Sequence, residues 1–317
     1  MNLKNVKTGY QFRKLKNKEL RDFIDYAFES TRNRAEKEMG VSFKFLKRMC
    51  QVNRLLLGIP WKLIARDSDH IVVVKERRIC AGFSAMYDKK KNEYTIGNFF
   101  TRPEFQGQGI GNLLMEYIVE RYGKTKLILY VETNNEVALH LYKKFDFFEK
   151  SSMQEFHFTC PLRTRSFPSG FYARQARKED LKNLHRLMDE IPDMDDMLKR
   201  YKKSFNKTKE RKFRMRNQIP AVLKNENGEI IGIGRAMWTK VIPNFVQIIA
   251  TAVLPEAKLA YPSFISFLTE MAAEYDISRG AWEKTEKTEV FFEEIKPHLG
   301  EPFLISWILE RVPGLSN

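Results

Sequence analysis

Apolar residues between positions 70 and 101 alternate with polar ones or gather in short runs, the pattern of strands. They predict strands His70–Lys75, Ile79–Asp88 and Tyr94–Thr101, the last two joined by the turn Asp88-Lys-Lys-Lys-Asn92. Ahead of them the pattern predicts a strand Tyr10–Leu15, a helix Asn17–Glu29 and a helical stretch around Phe43–Leu57. After Gly111 the spacing becomes helical through Leu113, Leu114, Tyr117 and Ile118. A strand Lys126–Glu132, a helix Asn135–Lys144 and strands near Phe147 and over Glu155–Cys160 follow. The expected fold class is α+β, a mixed and mainly antiparallel twisted sheet flanked by helices.

The segment Cys160–Gly170 carries two prolines, two serines and a glycine without periodicity, and reads as a linker. Beyond it the order repeats. Phe171–Ala176 and the helical Arg177–Met188 parallel the first strand and helix. Strands Ile219–Leu223, Ile230–Trp238 and Phe245–Leu254 parallel the next three, with Asn225–Gly228 as a hairpin turn. A helix Ser263–Tyr275, a helix near Glu289–Ile295 and a strand Phe303–Arg311 complete the set. The organisation expected is a tandem duplication: one domain over 1–160, a linker over 161–170, and a second copy over 171–317.

The strand ending near Thr101 runs into Gln106-Gly107-Gln108-Gly109-Ile110-Gly111, and a helix starts at once. Alternating glycines let the backbone pass close to a ligand, and the positive end of the helix dipole attracts an anion. A ligand with a pyrophosphate is expected. The dinucleotide fingerprint G-x-G-x-x-G fits less well, because the third glycine comes one residue early, although Glu132 ends the next strand. Consecutive strands, rather than alternating strands and helices, also precede the turn. A Walker loop is excluded, since no Gly-Lys-Ser/Thr follows.

Gln106-x-x-Gly109-x-Gly111, preceded by Pro103-Glu104 and followed by Asn135-x-x-Ala138-x-x-Leu141-Tyr142, resembles the two signature segments of the GNAT superfamily of N-acetyltransferases. Asp146 departs from the glycine that the family often has there, and aspartate tolerates the left-handed conformation nearly as well. The resemblance implies acetyl-CoA as cosubstrate. It implies that the backbone over Phe99, Phe100 and Thr101 holds the pantetheine arm like an added strand. Gln106, Gly107, Gln108, Gly109, Ile110, Gly111 and Asn112 would hold the pyrophosphate, and Asn135 would reach the arm. Tyr142 is implied as the general acid for the departing thiolate, and Glu93, at the start of the fourth strand, as a candidate general base, with a solvated hairpin residue as its other reading. In the second copy Pro255-Glu256 aligns with Pro103-Glu104, which sets Tyr261 and Ser263 opposite Gly109 and Gly111, and Lys296 opposite Tyr142. That copy is expected to be non-catalytic, supporting or walling the first site.

At 317 residues and 43% hydrophobic, the chain has enough apolar residues for two cores. Cys50, Cys80 and Cys160, and five histidines including His140 and His157, show no metal-ligand spacing, so no metal is expected. With no apolar run long enough for a membrane span and no apolar signal-peptide core, a cytoplasmic protein without a membrane partner is expected. The net charge of +15 is uneven: 29 basic against 19 acidic side chains in residues 1–160, and 26 against 21 beyond. Part of it suits a polyanionic coenzyme. The run Lys199–Arg216 holds ten basic residues and one acid, Glu210; a solvated face is its expected role, and nucleic acid is not the expected partner. Arg32, Arg34, Lys44, Lys47, Arg48 and Trp61 fall in the insert that lines the acceptor side in the resembling family. Their charge disfavours polycationic acceptors; a small-molecule amine carrying a carboxylate or phosphate, or a protein amino group, is more compatible. The function expected is acetyl transfer to a primary amine, with a non-catalytic acyl-CoA sensor or a nucleic-acid-associated protein as the alternatives.

Overall fold

Val72 and Val73 are consecutive residues of one strand, so their side chains leave the sheet on opposite faces. Both are fully buried, which means that the sheet is covered on both sides here. The computed structural model describes residues 4–5, 9–27, 68–164, 166–191, 198–199, 201–202, 205, 216–239, 244–284 and 288–314. The helical stretch expected over Phe43–Leu57, the insert residues Arg32, Arg34, Lys44, Lys47, Arg48 and Trp61, Cys50, and most of the run Lys199–Arg216 lie outside these.

In chain order the elements begin with β1 (Lys4–Asn5), β2 (Tyr10–Lys14), α1 (Leu20–Ala27), β3 (Ser68–Lys75), β4 (Arg78–Asp88) and β5 (Glu93–Thr101). There follow α2 (Ile110–Tyr122), β6 (Lys126–Glu132), α3 (Glu136–Lys143), β7 (Phe148–Thr159), β8 (Phe171–Gln175) and α4 (His185–Glu190). The rest are β9 (Arg216–Asn225), β10 (Ile230–Thr239), β11 (Phe245–Val253), α5 (Tyr261–Ala273), β12 (Arg279–Lys284), α6 (Phe292–Ile295) and β13 (Pro302–Arg311). Among the described residues, one unit holds those up to Ser152 and from Ser306 onward, and a second holds Met153 to Ile305.

In the first unit the strand order is β1-β2-β3-β4-β5-β6-β13. All neighbours are antiparallel except β5 and β6. One face packs Ile71, Val73, Phe83 and Ile96 under Leu114, Met115 and Ile118 of α2. The other packs Val72, Val74 and Phe100 under Phe23 of α1. In the second unit the order is β7-β12-β11-β10-β9-β8, with β11 and β12 the parallel pair. Its core gathers Val222, Ile231 and Ile233 with Phe264, Ile265 and Leu268 of α5.

The units share local devices, as a duplication requires. Arg13 grips Glu19 at 2.8 Å, and Glu19 accepts from the Lys16 N–H at 3.0 Å. Arg174 grips Asp180 at 2.6 Å, and Asp180 accepts from the Arg177 N–H at 2.6 Å. Asn92 and Asn244, each just before the strand that leads to the long helix, have φ of 50° and 60°.

Several elements differ from the sequence expectation. The two strands expected near Phe147 and over Glu155–Cys160 are one continuous β7. The helix expected over Arg177–Met188 is a 3-10 segment, Lys178–Asn183, followed by the short α4, since the Asp180 carboxylate fixes a tight first turn. The helix near Glu289–Ile295 is a 3-10 turn, Glu289–Phe291, that leads into α6, and a second 3-10 turn with Pro297 follows at once. The C-terminal strand, expected to finish the second copy, pairs from Ser306 to Arg311 with Glu132 to Leu127 of β6 in the first unit. The corresponding place beside β12 is taken by Gln154–Thr159 of β7. Nor is Cys160–Gly170 a free tether: the Leu162 N–H donates to Thr269 Oγ1 at 2.8 Å, and the Ser263 hydroxyl donates to the Ser166 carbonyl at 3.3 Å.

Candidate active site

Parallel pairing of β5 with β6 runs from Glu93 opposite Lys126 to Ile96 opposite Leu129. Past that point β5 carries a bulge: Ser84 faces Gly97 and Gly82 faces Phe100, so Asn98 and Phe99 together oppose Phe83. Asn98 takes φ of 49°, a left-handed value that asparagine tolerates better than most residues. The bulge turns backbone groups of β5 out of the ladder, where an amide-bearing ligand can pair with them. The Phe99 ring meets Tyr142 edge-on, whereas the Phe100 ring packs on the α1 face against Phe23. Phe100 therefore offers a ligand only its backbone.

The loop after β5 is braced from both ends. The Gln106 amide donates to the Thr101 carbonyl at 3.2 Å. Gln108 accepts from the Tyr10 hydroxyl at 2.8 Å and donates to the Glu104 carbonyl at 3.3 Å. Arg102 binds the Ile79 carbonyl, pairs with Glu104 and stacks its guanidinium over Tyr26 at 4.3 Å. Both glutamine side chains are thus committed to bonds that brace the loop.

Gly107 and Gly109 have φ of 73° and 76°, and a Cβ built on either meets nothing within 4 Å. Left-handed backbone thus demands glycine, and the space beside it is open. Gly111 works differently: a Cβ there lies 3.3 Å from Leu141 Cδ2, so its glycine lets α2 approach α3. Gly109 is the N-cap of α2; no side chain caps this end, and the first turn carries no acid. The N–H groups of Ile110, Gly111 and Asn112 therefore face outward with the dipole's positive end unneutralised, while the Ile110 side chain is buried in the core. Asn112 Oδ1 accepts from Lys144 Nζ at 2.7 Å, adding a cation beside that end.

Asn135 caps α3 by accepting from the Ala138 N–H at 3.2 Å. Tyr142, seven residues on, is buried against Phe99 and Phe147. Burial pushes its phenol up to about 12, so it holds its proton across the physiological range. Thus contacts link Thr101 to the Gln106–Asn112 turn, that turn to α3, and Tyr142 of α3 to Phe99, with Asn135 at the start of the same helix.

Glu93 is not brought to them. It stands six residues before Phe99, about 20 Å along the strand at ~3.3 Å per residue. Its buried carboxylate pairs with Lys126 at 3.1 Å, with Lys91 at 3.9 Å, and holds the Lys126 ammonium above its ordinary value through that hydrogen bond. Three side chains near the bulge were missed in the sequence: Asn98, Ser84 and His70. The Asn98 amide donates to Ser84 Oγ at 3.0 Å, and Ser84 Oγ lies 2.8 Å from His70 Nδ1.

The matching helix start in the second unit is built differently: Ala260, with φ of -85°, is the N-cap where α2 has Gly109. Tyr261, the first residue of α5 as Ile110 is of α2, is fully buried and stacks on Phe291 at 4.4 Å. Its hydroxyl accepts from Trp282 Nε1 at 2.9 Å and bonds Thr251 Oγ1 at 3.0 Å. Lys258 and Glu294 then pair at 3.0 Å between the loop after β11 and α6. Pro262 removes one N–H from the first turn of α5. Among the described residues no group of side chains is placed to hold a metal ion, and no helix is long and apolar enough to cross a membrane.

Residues 66–149 match the acetyltransferase (GNAT) domain model. Over 166 residues the chain is 25% identical to an uncharacterized N-acetyltransferase of Methanocaldococcus jannaschii; the match covers 47% of this chain and 66% of the relative's length. The tandem GNAT protein from the clavulanic acid biosynthesis pathway superposes with a TM-score of 0.65 at 14% identity, over 97% of this chain and 100% of that one. A GCN5-related N-acetyltransferase from Sphaerobacter thermophilus gives 0.65 at 13% identity over 98% of each chain. At such identities the likeness is one of fold, and it runs through nearly the whole chain.

Proposed function

Since residues 66–149 carry the acetyltransferase (GNAT) domain, we propose that the first unit carries an acetyl group from acetyl-CoA to a primary amine by direct attack. One observation carries this reading most directly: the uncapped start of α2 lies behind two left-handed glycines with open space beside them. A pyrophosphate fits there because it needs outward N–H groups, a positive dipole end and no Cβ in the way. The coenzyme would supply an acyl group activated as a thioester.

The protein's part is placement and proton traffic. The bulged backbone at Phe99 and Thr101, together with Asn135, holds the two-amide arm. The Gln106–Asn112 turn holds the phosphates, and Lys144 adds its charge at the same end. The Tyr142 O–H donates a hydrogen bond to the leaving sulfur, and burial keeps that proton in place until it is needed. Such a contribution is worth roughly 10²–10⁴ in rate. The second unit is read as non-catalytic, since α5 starts behind Ala260 rather than a left-handed glycine and Pro262 removes one N–H from its first turn. The acceptors proposed are small amines bearing an anionic group, or a protein amino group. The compartment proposed is the cytoplasm, where the buried thiols of Cys80 and Cys160 stay reduced.

The test is a thermal-shift titration with acetyl-CoA, followed by a thiol-release screen over amines with and without carboxylate or phosphate. Stabilisation by acetyl-CoA and release of thiol with at least one amine are expected. No stabilisation would remove the reading; stabilisation without turnover on any amine would favour a sensor of acyl-CoA.

A further inference from the structure

We propose that His70 is the proton acceptor for the attacking amine, reached through Ser84 and set on the sheet face opposite Tyr142. This rests on the acetyl-transfer reading of the first unit. Asn98 and Phe99 are consecutive in the β5 bulge. Phe99 turns to the α2–α3 face and touches Tyr142; Asn98 turns to the α1 face and donates to Ser84 at 3.0 Å. Acid and base thus flank one two-residue bulge from its two sides.

The chain of hydrogen bonds has a direction. Asn98 donates to Ser84 Oγ, and the proposal sets the Ser84 hydroxyl hydrogen on the 2.8 Å contact to His70 Nδ1. With Nδ1 accepting, the ring carries its hydrogen on Nε2, which lies 3.3 Å from Ser68 Oγ. Ser84 is almost wholly buried, and the edge of the Phe23 ring from α1 meets the imidazole at 5.8 Å. Burial lowers the His70 pKa, and the neighbouring Asp69 opposes this. The Asp69 carboxylate is itself held by Lys14 at 2.7 Å and by the Tyr122 hydroxyl at 3.1 Å. His70 is therefore neutral near pH 7, as a base must be. The carboxylate of Glu93 is meanwhile tied to Lys126.

In the step, the amine nitrogen bonds to the acyl carbon and gives up a proton to Ser84 Oγ, while the hydroxyl's own hydrogen passes to His70 Nδ1. The carbon–sulfur bond breaks, its electron pair leaves with sulfur, and Tyr142 donates to that sulfur.

The experiment uses the full chain with acetyl-CoA and an amine from the screen. His70→Gln and Ser84→Ala should bind acetyl-CoA within about two-fold of wild type while kcat/KM falls, roughly 100-fold for His70→Gln and about 10-fold for Ser84→Ala. The acidic limb of the wild-type kcat/KM profile should lie below pH 6.5 and vanish in His70→Gln. Nitrogen NMR at pH 7.5 should show hydrogen on Nε2 of His70. A His70→Gln enzyme with wild-type kcat/KM and pH profile, or hydrogen on Nδ1, overturns the proposal while the acetyl-transfer reading stands. If His70→Gln does not fold, unchanged kcat/KM in Ser84→Ala overturns it. A wild type that binds no acetyl-CoA overturns both.

Discussion

Tyr142 and Phe99 meet edge to face, ring centroids 5.9 Å apart and planes at 82°. The contact joins the α3 helix to the bulge of β5 and sets the phenol where the strand pair opens. Tyr142→Phe keeps both this contact and the one to Phe147, and loses only the hydroxyl. Turnover should fall about 10-fold or more with coenzyme affinity nearly unchanged, read by thiol release and calorimetry. Unchanged turnover with chemistry rate-limiting would leave Tyr142 a packing residue.

The same tyrosine makes a prediction about pH. Its folded pKa of about 12 exceeds the unfolded value near 10 because burial disfavours the phenolate. The stability it contributes is whole below pH 10 and is lost as pH rises from 10 through 12. Denaturant titrations should show that alkaline loss diminished in Tyr142→Phe, and no limb of the rate profile between pH 6 and 9 should shift in that variant.

Gly109 and Gly111 should respond to substitution in distinct ways. Gly109→Asp puts a carboxylate and a Cβ at φ of 76° in the open space beside the helix start. Calorimetry should find coenzyme binding abolished, while wild type binds one coenzyme per chain. Gly111→Ala instead presses on Leu141, so it should cost stability first, of order 1–3 kcal/mol. Two coenzymes per wild-type chain, or wild-type affinity in Gly109→Asp, would reject the assignment.

In the second unit, Tyr261→Phe leaves the ring on Phe291 but strips partners from Trp282 and Thr251. Each buried group left unpaired costs about 1–3 kcal/mol. Chemical denaturation should show that loss, with acetyl-CoA binding untouched. Altered coenzyme affinity would mean that this unit takes part in binding.

Replacing Lys207, Lys209, Arg211 and Lys212 with Gln should leave acetyl transfer to small amines unchanged, and RNA binding weak before and after. Sub-micromolar RNA affinity at physiological salt, lost in the quadruple variant and steep in salt, would make nucleic acid a partner.

Much of the first unit could be read from local pattern. Strands β3 to β6 follow period-two runs, Gly109 follows the need for a left-handed residue before a helix, and Tyr142 follows the helix after Asn135. The alignment that sets Tyr261 opposite Gly109 is one residue off: Tyr261 begins α5 as Ile110 begins α2, and Ala260 is the N-cap. What stayed hidden depends on partners distant in sequence. Glu93 faces Lys126 only once β6 lies parallel to β5. Ser84 sits within a buried run and reads as filler until Asn98 bends β5 toward it. Strands β7 and β13 both alternate, and nothing in either periodicity says which of the two parallel pairs it will extend.

That exchange of strands sets an order of assembly on the ribosome. Strands β2 to β6 of the first unit are made well ahead of its last strand, and its sheet lacks an edge partner for β6 until Ser306–Arg311 has emerged. Leu309, fully buried, and Arg311, which donates to the Phe145 carbonyl at 3.1 Å, arrive with it. The second unit can close earlier, since β7 precedes it and β12 comes before the last strand. The half that carries the proposed chemistry is begun first and finished last, so a chain cut short near residue 300 would keep every candidate active-site side chain and still lack the strand that completes their sheet.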